Sequence, residues 1–201
     1  KVALVTGGTR GIGKAIVNEL LQSGAKVFAT GTNLTQVEKL NTENKNSLLT
    51  YLQLDLSEPN NVRKFISKRL KVTDIDILVN NAGINKVSDA DIISDEEFLQ
   101  IQEINVHGPF LLAQAFGKQM LNKNWGRIIN ISSIWGVVTR PGRLSYSASK
   151  MALLGISKTL AVEWAKNNVL VNSVSPGFTL TELTKTTNTK QELKEIKNKI
   201  P

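Results

Sequence analysis

The sequence has no cysteine and a single histidine, His107, among its 201 residues. Without cysteine the chain forms no disulfide bond and offers no thiolate ligand, and one histidine cannot form a histidine cluster around a metal ion. No apolar run approaches the ~20 residues that a membrane-spanning helix requires. The chain also starts in a strand-like segment rather than in a signal peptide. These absences predict a cytoplasmic protein without a metal site and without a membrane partner.

Charge and aromatic content indicate whether the protein binds nucleic acid. Hydrophobic residues make up 41% and charged residues 21% of the chain, as in ordinary globular proteins. The formal charge of +8 is compatible with nucleic-acid binding, but the lysines are scattered and aromatic residues make up only 5%. Because nucleic-acid binders usually combine a basic stripe with stacking rings, we predict a solvated basic surface and no nucleic-acid partner.

Apolar runs and helical periodicity alternate along the chain. The runs predict strands at residues 2–5, 26–30, 48–54, 75–79, 127–131 and 169–174. The periodic segments predict helices at 12–21, 34–40, 57–70 with Ser57 as N-cap, 95–120 with a kink at Pro109, and 145–166, then a weak helix within 182–199. This alternation is typical of βαβ units. We therefore predict one domain over residues 1–201, with an α/β fold of three layers (α/β/α) around a doubly wound, Rossmann-like parallel sheet.

A glycine-rich turn joins the first predicted strand to the first helix. It contains Gly7, Gly11 and Gly13, where a plain turn would need about one glycine. Glycines allow the backbone to approach a phosphate closely, and the following helix N-terminus attracts anions. The turn therefore predicts a phosphate site, formed by Gly7, Thr9, Arg10, Gly11, Ile12 and Gly13.

The residues at the end of the second predicted strand indicate which dinucleotide the site prefers. NAD-selective sites commonly place an acidic residue here, on the adenosine ribose. This sequence has no Asp or Glu between Gly24 and Gln36. Arg10 and Thr32 offer a cation and a hydroxyl to a 2′-phosphate instead. We therefore predict NADP(H) as the cofactor, in preference to NAD(H).

Tyr146 and Lys150 lie four residues apart at the start of a predicted helix, so their side chains share one face. A neighbouring ammonium favours the phenolate and lowers the pKa of a tyrosine. The pair is thus a candidate for proton exchange with a substrate, although a packed ring beside a solvated lysine also has this spacing.

Several motifs occur together in one order. They are the turn from Thr6 to Gly13, Asp55, Asn80-Asn81-Ala82-Gly83, Asn105, Ser133, Tyr146-Ser147-Ala148-Ser149-Lys150, and Pro176-Gly177 with Thr181. In this set the chain resembles the short-chain dehydrogenase/reductase family from Lys1 to about Leu183. Within the family it most resembles the group of 3-oxoacyl-[acyl-carrier-protein] reductases.

The resemblance implies catalytic roles for Asn105, Ser133, Tyr146 and Lys150. Tyr146 would protonate the carbonyl oxygen, and Ser133, rather than the adjacent Ser132, would polarise it. Lys150 would hold the nicotinamide ribose and depress the pKa of Tyr146. Asn105 would fix a water that links Lys150 to solvent.

The resemblance also implies further cofactor contacts. Asp55 would accept a hydrogen bond from the adenine amino group, beside Leu56. The backbone of Asn81, Ala82 and Gly83 would pass the adenosine ribose. Residues after the sixth strand would border the nicotinamide and the diphosphate; they are Pro176, Gly177, Phe178, Thr179 and Thr181.

A substrate pocket is expected near Ser133, lined by Trp135, Val137, Leu144 and Phe178. His107 is two residues past Asn105, but a lone histidine near a helix kink more often makes a structural hydrogen bond than a catalytic one.

The chain departs from its apparent relatives in two respects. Arginines that some acyl-carrier-protein reductases carry correspond to Asn124 and Asn167; Lys123, Lys166, Arg140 and Arg143 are possible substitutes for contact with an acidic carrier. Family members also continue into a further helix and a seventh strand, so we expect this chain to lack the C-terminal part of the fold.

The function expected from the sequence is NADPH-dependent reduction of a carbonyl to an alcohol, with a 3-oxoacyl thioester as the preferred substrate and acyl carrier protein as a candidate partner. One alternative is an NAD(P)-dependent dehydrogenase of a sugar or small alcohol. Another, of a different class, is a dinucleotide-binding regulator without catalysis. The resemblance implies a homodimer or homotetramer.

Overall fold

Six parallel strands form one sheet in the computed structural model, which describes residues 1–199. The strands are β1 (Val2–Val5), β2 (Lys26–Gly31), β3 (Leu49–Gln53), β4 (Ile77–Asn80), β5 (Gly126–Ile131) and β6 (Val169–Val174). Their order across the sheet is β3-β2-β1-β4-β5-β6. All five pairings are parallel. The predicted doubly wound sheet is confirmed, and each strand lies within two residues of its predicted bounds.

Helices connect the strands. They are α1 (Gly11–Gln22), α2 (Leu34–Glu43), α3 (Pro59–Leu70), α4 (Asp95–Gln102), α5 (Gly108–Asn122), α6 (Leu144–Trp164), α7 (Glu182–Thr186) and α8 (Lys190–Lys199). A π-helical turn, Glu103–His107, joins α4 to α5, and short 3-10 turns lie at Ile134–Gly136 and Ala165–Asn167. No helix among these residues is long and apolar enough to cross a membrane.

The two faces of the sheet carry separate cores. One core contains Leu4, Leu78 and Ile128 from the strands and Phe116 from α5, with Leu160 and Trp164 of α6 packed against it. The other contains Ala3, Val27 and Val79 from the strands, Val17 of α1 and Val37 of α2. Strand residues therefore alternate between two buried faces, which produces the near-continuous apolar runs in the sequence.

The helix from 95 to 120 is broken differently from the prediction. The proline kink was expected at Pro109, but Pro109 lies in the first turn of α5, where a missing N–H costs little. The irregularity is instead the preceding π-helical turn, Glu103–His107. Such turns often mark functional sites, and this one contains Asn105.

The predicted N-cap of α3 was also wrong. Glu58 occupies that position, with Pro59 in the first turn. Ser57 instead donates its hydroxyl to Oδ1 of Asp55, 2.8 Å away, and its backbone N–H to the same oxygen at 2.9 Å. This Asx-type turn competes with capping and holds Asp55 at the end of β3.

Candidate active site

A cleft of about 620 Å³ lies along the carboxyl ends of the strands. The chain leaves β1 towards β2 and β3, and later returns to β4 on the other side of β1. Loops on the two sides diverge at such a switch point and leave a crevice between them, which is where ligands bind in open α/β sheets. Residues that follow all six strands line this cleft.

The glycine-rich turn forms one wall of the cleft. Gly7 and Gly11 have φ angles of +63° and +54°, which residues other than glycine rarely adopt. A Cβ at Gly13 would overlap the carbonyl oxygen of Gly7 and lie 2.5 Å from Nδ2 of Asn81. α1 therefore packs directly onto the turn. Its N-terminus has no side-chain cap from Arg10, so its N–H groups face the cleft as an anion-binding end.

The loop after β4 is locked to this turn through Thr6. The Thr6 hydroxyl accepts the backbone N–H groups of Asn81 and Ala82, at 2.9 and 3.0 Å. The Asn81 side chain donates in return to the carbonyl oxygens of Thr6 and Gly7, at 2.9 and 3.1 Å. These bonds tie together the two loops that follow β1 and β4 and flank the crevice.

Arg10 lies at the mouth of the cleft and forms an ion pair with Glu182 at the start of α7, with 3.1 Å between Nη1 and Oε2. Both side chains are largely exposed, at 72% and 68%, so the pair is weak. Thr32 and Asn33, after β2, line the same part of the cleft as Arg10.

Tyr146 and Lys150 lie on the buried face of α6, with exposed fractions of 8% and 4%. The ammonium of Lys150 donates to the carbonyl oxygen of Ile131 at 2.8 Å and lies 5.6 Å from the centre of the Tyr146 ring. Burial lowers the pKa of Lys150 to about 8. The cation and the phenol therefore lie side by side, largely buried, in the wall of the cleft.

The pKa of Tyr146 differs from the expectation. Burial raises it above its usual value, and this effect outweighs the opposing influence of the Ser133 hydroxyl and the positive charge of Arg143. The expectation that Lys150 lowers this pKa is therefore wrong. The physical reason is that desolvation of the buried phenol is the largest effect, while the Lys150 ammonium donates its hydrogen bond to the carbonyl of Ile131.

The two candidate serines at the end of β5 have different partners. Ser132 donates its hydroxyl to the backbone carbonyl of Lys150 at 3.0 Å and so ties β5 to α6. Ser133 starts the 3-10 turn, and its hydroxyl accepts the N–H of Trp135 at 3.2 Å. Ser133 acts on the pKa of Tyr146, which supports its choice over Ser132.

Asn105 is buried behind the cleft, in the π-helical turn, with 1% exposed. Its amide exchanges two hydrogen bonds with the backbone of Ile84, both 2.9 Å, and donates to Ser149 at 3.0 Å. A Cβ at Gly83 would lie 3.1 Å from Oδ1 of Asn105 and 3.5 Å from Nζ of Lys150. Asn105 and Lys150 therefore both lie next to Gly83, and a side chain there would crowd Oδ1 of Asn105.

Comparison with known families places this geometry in context. The family model for short chain dehydrogenases matches residues 1–192 of the chain. The chain belongs to the short-chain dehydrogenase family. It is thus an oxidoreductase of a dinucleotide-binding family.

Individual relatives support the same placement. The chain is 38% identical to a 3-oxoacyl-[acyl-carrier-protein] reductase from Aquifex aeolicus over 206 residues, which cover 100% of the chain and 82% of the relative. Among solved structures, it resembles one assigned as an NAD(P)-dependent gluconate 5-dehydrogenase from Beutenbergia cavernae, with NADP bound (TM-score 0.92, 30% identity, 100% of this chain and 82% of that one). It also resembles a 4-hydroxyisoleucine dehydrogenase complexed with NADH (TM-score 0.89, 31% identity, 98% and 81%).

The structure brings nearly all of the predicted site residues of this dehydrogenase to one cleft. Those that line it are Gly7, Thr9, Arg10, Gly11, Ile12, Gly13, Thr32, Asp55, Leu56, Asn81, Ala82, Gly83, Ser133, Tyr146, Lys150, Pro176, Gly177, Phe178, Thr179 and Thr181. Asn105 lies just behind this lining. Their roles remain proposals, but their convergence is a property of the fold.

The predicted substrate pocket was half right. Trp135 and Phe178 line the cleft and meet edge to face, with 5.7 Å between ring centres. Val137 and Leu144 do not line it and are 69% and 48% exposed. The 3-10 turn ends before Val137 and α6 begins at Leu144, so both side chains turn towards solvent.

Residues on α7 and the loop after it were missed. Leu183, Thr184, Thr187 and Asn188 line the cleft, although their Thr- and Lys-rich segment carries no motif. Arg143 was assigned to a carrier-binding surface, and this was wrong because only 2% of it is exposed and it lines the cleft instead. Its position three residues before Tyr146 was the available signal.

Proposed function

We propose that this dehydrogenase reduces the carbonyl group of a 3-oxoacyl thioester to the 3-hydroxyacyl thioester, with NADP(H) as the cofactor. The observation that carries the proposal is the buried Tyr146, which lies beside Ser133 and Lys150 in the dinucleotide crevice. The 38% sequence identity to a 3-oxoacyl-[acyl-carrier-protein] reductase, over the whole length of this chain, favours a thioester as the substrate.

The residues of the cleft fit a dinucleotide. Gly7, Gly11 and Gly13 leave a cradle that side chains would fill, next to the uncapped start of α1. This end would hold the diphosphate. Asp55 and Leu56 would hold the adenine, and Lys150 the nicotinamide ribose. When bound, NADPH supplies the hydride that reduces the carbonyl carbon.

Tyr146 would donate the proton that completes the alcohol. Because burial raises its pKa, the phenol is protonated at neutral pH and its proton is available for the reductive direction. Ser133 would orient the carbonyl oxygen towards Tyr146. Asn105, held by Ile84 and Ser149, would keep a path open from Lys150 towards solvent for the return of the proton.

NADP(H) is proposed over NAD(H) on charge. Arg10 and Thr32 line the cleft after β1 and β2, and no acidic residue lies between Gly24 and Gln36. Arg10 currently faces Glu182, which a 2′-phosphate would replace as its anionic partner. We expect kcat/KM to be at least tenfold higher with NADPH than with NADH.

A panel of carbonyl compounds tests the substrate. NADPH oxidation should be measured with acetoacetyl thioesters, small ketones and oxidised sugars. Turnover of oxidised sugars or small ketones without turnover of thioesters would replace the proposal with a sugar or small-alcohol dehydrogenase. Cofactor binding without turnover of any compound would favour a regulator.

Tyr146→Phe tests the mechanism. We expect kcat to fall by about 10³, because positioned proton donors contribute 10²–10⁴, while the Kd for NADPH stays within about threefold of the wild-type value. Tyr51→Phe is the matched control: Tyr51 is buried in the core of β3 and does not line the cleft. Equal turnover in Tyr146→Phe and wild type would refute the mechanism.

We further propose that the protein is cytoplasmic and forms a homodimer or homotetramer. Apolar side chains are exposed on the outer faces of α5 and α6, among them Phe110, Met151 and Val162. A large exposed apolar patch commonly marks an interface.

A further inference from the structure

Arg143 is, with Lys150, one of the two buried cations among residues 1–199 that line the cleft near Tyr146. It immediately precedes α6, three residues before Tyr146. Only 2% of it is exposed, and it ranks first by volume among the fully buried side chains of residues 1–199. It also lines the cleft, beneath Thr187 and Asn188.

The guanidinium of Arg143 is poorly satisfied. Its Nη2 makes two long hydrogen bonds to neutral oxygens, the carbonyl of Thr187 and Oδ1 of Asn188, both at 3.3 Å. Its Nε is buried without an acceptor, and no carboxylate lies within ion-pair distance among the described residues. A buried donor and a buried charge without partners are both unfavourable, so an acceptor from outside the chain is the natural partner.

A purely structural role, in which Arg143 holds the 187–188 segment in place, explains these contacts less well. Arg140 already holds Asn188 with a shorter bond of 2.8 Å, and lies 3.9 Å from Glu192. Loss of Arg143 would leave that bond in place. The Nε group of Arg143 also takes no part in the contact with the 187–188 segment.

We propose that Arg143 binds a second oxygen of the substrate, next to the carbonyl that is reduced. Arg143 is the N-cap residue of α6, Tyr146 lies in the first turn of that helix, and both side chains line the cleft, so Arg143 and Tyr146 can hold two oxygens of one small molecule. A 3-oxo compound carries its second oxygen two carbons from the first, as a thioester carbonyl or a carboxylate. Arg143 thereby selects such compounds over simple ketones. The inference rests on the proposed function and adds its specificity-determining residue.

The test compares three substrates with NADPH: the neutral acetoacetyl thioester of N-acetylcysteamine, acetoacetate, and the monoketone 2-pentanone. We expect Arg143→Gln to lower kcat/KM for at least one 3-oxo compound by about 30-fold, equivalent to ~2 kcal/mol. The value for 2-pentanone should fall far less. Arg143→Lys keeps the charge but not the Nε donor, so its kcat/KM for the 3-oxo compound should lie between those of the wild type and Arg143→Gln. A selective loss with the thioester identifies the carbonyl as the partner, and one with acetoacetate identifies the carboxylate; either supports the proposal.

Arg140→Gln is the matched control, because it weakens the hold on Asn188 and leaves Arg143 intact. It should retain the substrate preference of the wild type. The proposal is overturned if Arg140→Gln shows the same selective loss. It is also overturned if Arg143→Gln and Arg143→Lys lower kcat/KM equally for all three substrates. Melting temperature and NADPH Kd are measured for each variant. Failure of the proposed function looks different: the wild type itself then does not turn over the thioester, whatever the variants do with acetoacetate.

Discussion

At the scale of single residues, the site depends on Lys150, a cation with almost no access to water. Its pKa is lowered from 10.5 to about 8 by burial, a shift that corresponds to roughly 3 kcal/mol against the charged form. One hydrogen bond, to the carbonyl of Ile131, offsets part of this cost. Lys150 therefore reduces the stability of the free protein, as expected of a residue retained for function.

Lys150→Met should accordingly stabilise the free protein while it abolishes turnover. At pH 7 both folded and unfolded states of the wild type carry the charged lysine, so the full desolvation cost applies; we expect the variant to gain about 1–2 kcal/mol in the free energy of unfolding. Between pH 8 and 10.5 the folded state loses its proton first, and the stability of the wild type rises with pH. The advantage of the variant should shrink over this window. Urea unfolding of both proteins at pH 7 and pH 10 checks this, and a variant less stable at both values would contradict it.

At the scale of elements, the turn between β1 and α1 shows how little space the cradle leaves. Gly13→Ala would push a methyl group into the carbonyl oxygen of Gly7 and into Asn81. We expect a loss of about 1–3 kcal/mol in the free energy of unfolding, in the range of overpacked cores, and at least a 30-fold weaker Kd for NADPH. Fluorescence titration measures the latter.

Asn18→Ala, on the exposed side of the same helix, is the control. It should bind NADPH normally and be slightly stabilised by the helix propensity of alanine. Equal NADPH binding by Gly13→Ala and Asn18→Ala would show that the close packing of α1 on the turn is not needed for the cradle.

The elements also show what could be predicted. Strands were found because they are buried on both faces and read as apolar runs, and the motif residues converged because strand ends share one edge of the sheet. The π-helical turn at Asn105 was not predictable, since its sequence continues a helical pattern without a break. Ser57 failed as a cap because Asp55 competes for it locally. The burial of Arg143 was not predicted, because it depends on contact with the segment at 187–188, which is distant in sequence.

At the scale of the whole molecule, the sheet is covered unevenly. α3, α5 and α6 pack on one face, whereas α1 and α2 pack on the other, at the β3-β2-β1 end. No strand pairs with the outer side of β6 among residues 1–199. The open surfaces include Leu170 and Val174 on β6, 42% and 49% exposed, and the outer face of α6. Apolar area of this kind is available for assembly.

The outer face of α6 supplies the last prediction. Met151, Gly155 and Val162 recur at helical spacing on this face, and Val162 is 83% exposed. If two copies pack through it, Val162→Glu places a charge in an apolar contact and should shift sedimentation from dimer or tetramer to monomer. Val72→Glu is the control, since Val72 follows α3, is not part of α6, and is 63% exposed. A wild-type monomer, or an equal shift in both variants, would contradict assembly through α6; a selective shift would show that α6 serves the assembly on one face and the active site on the other.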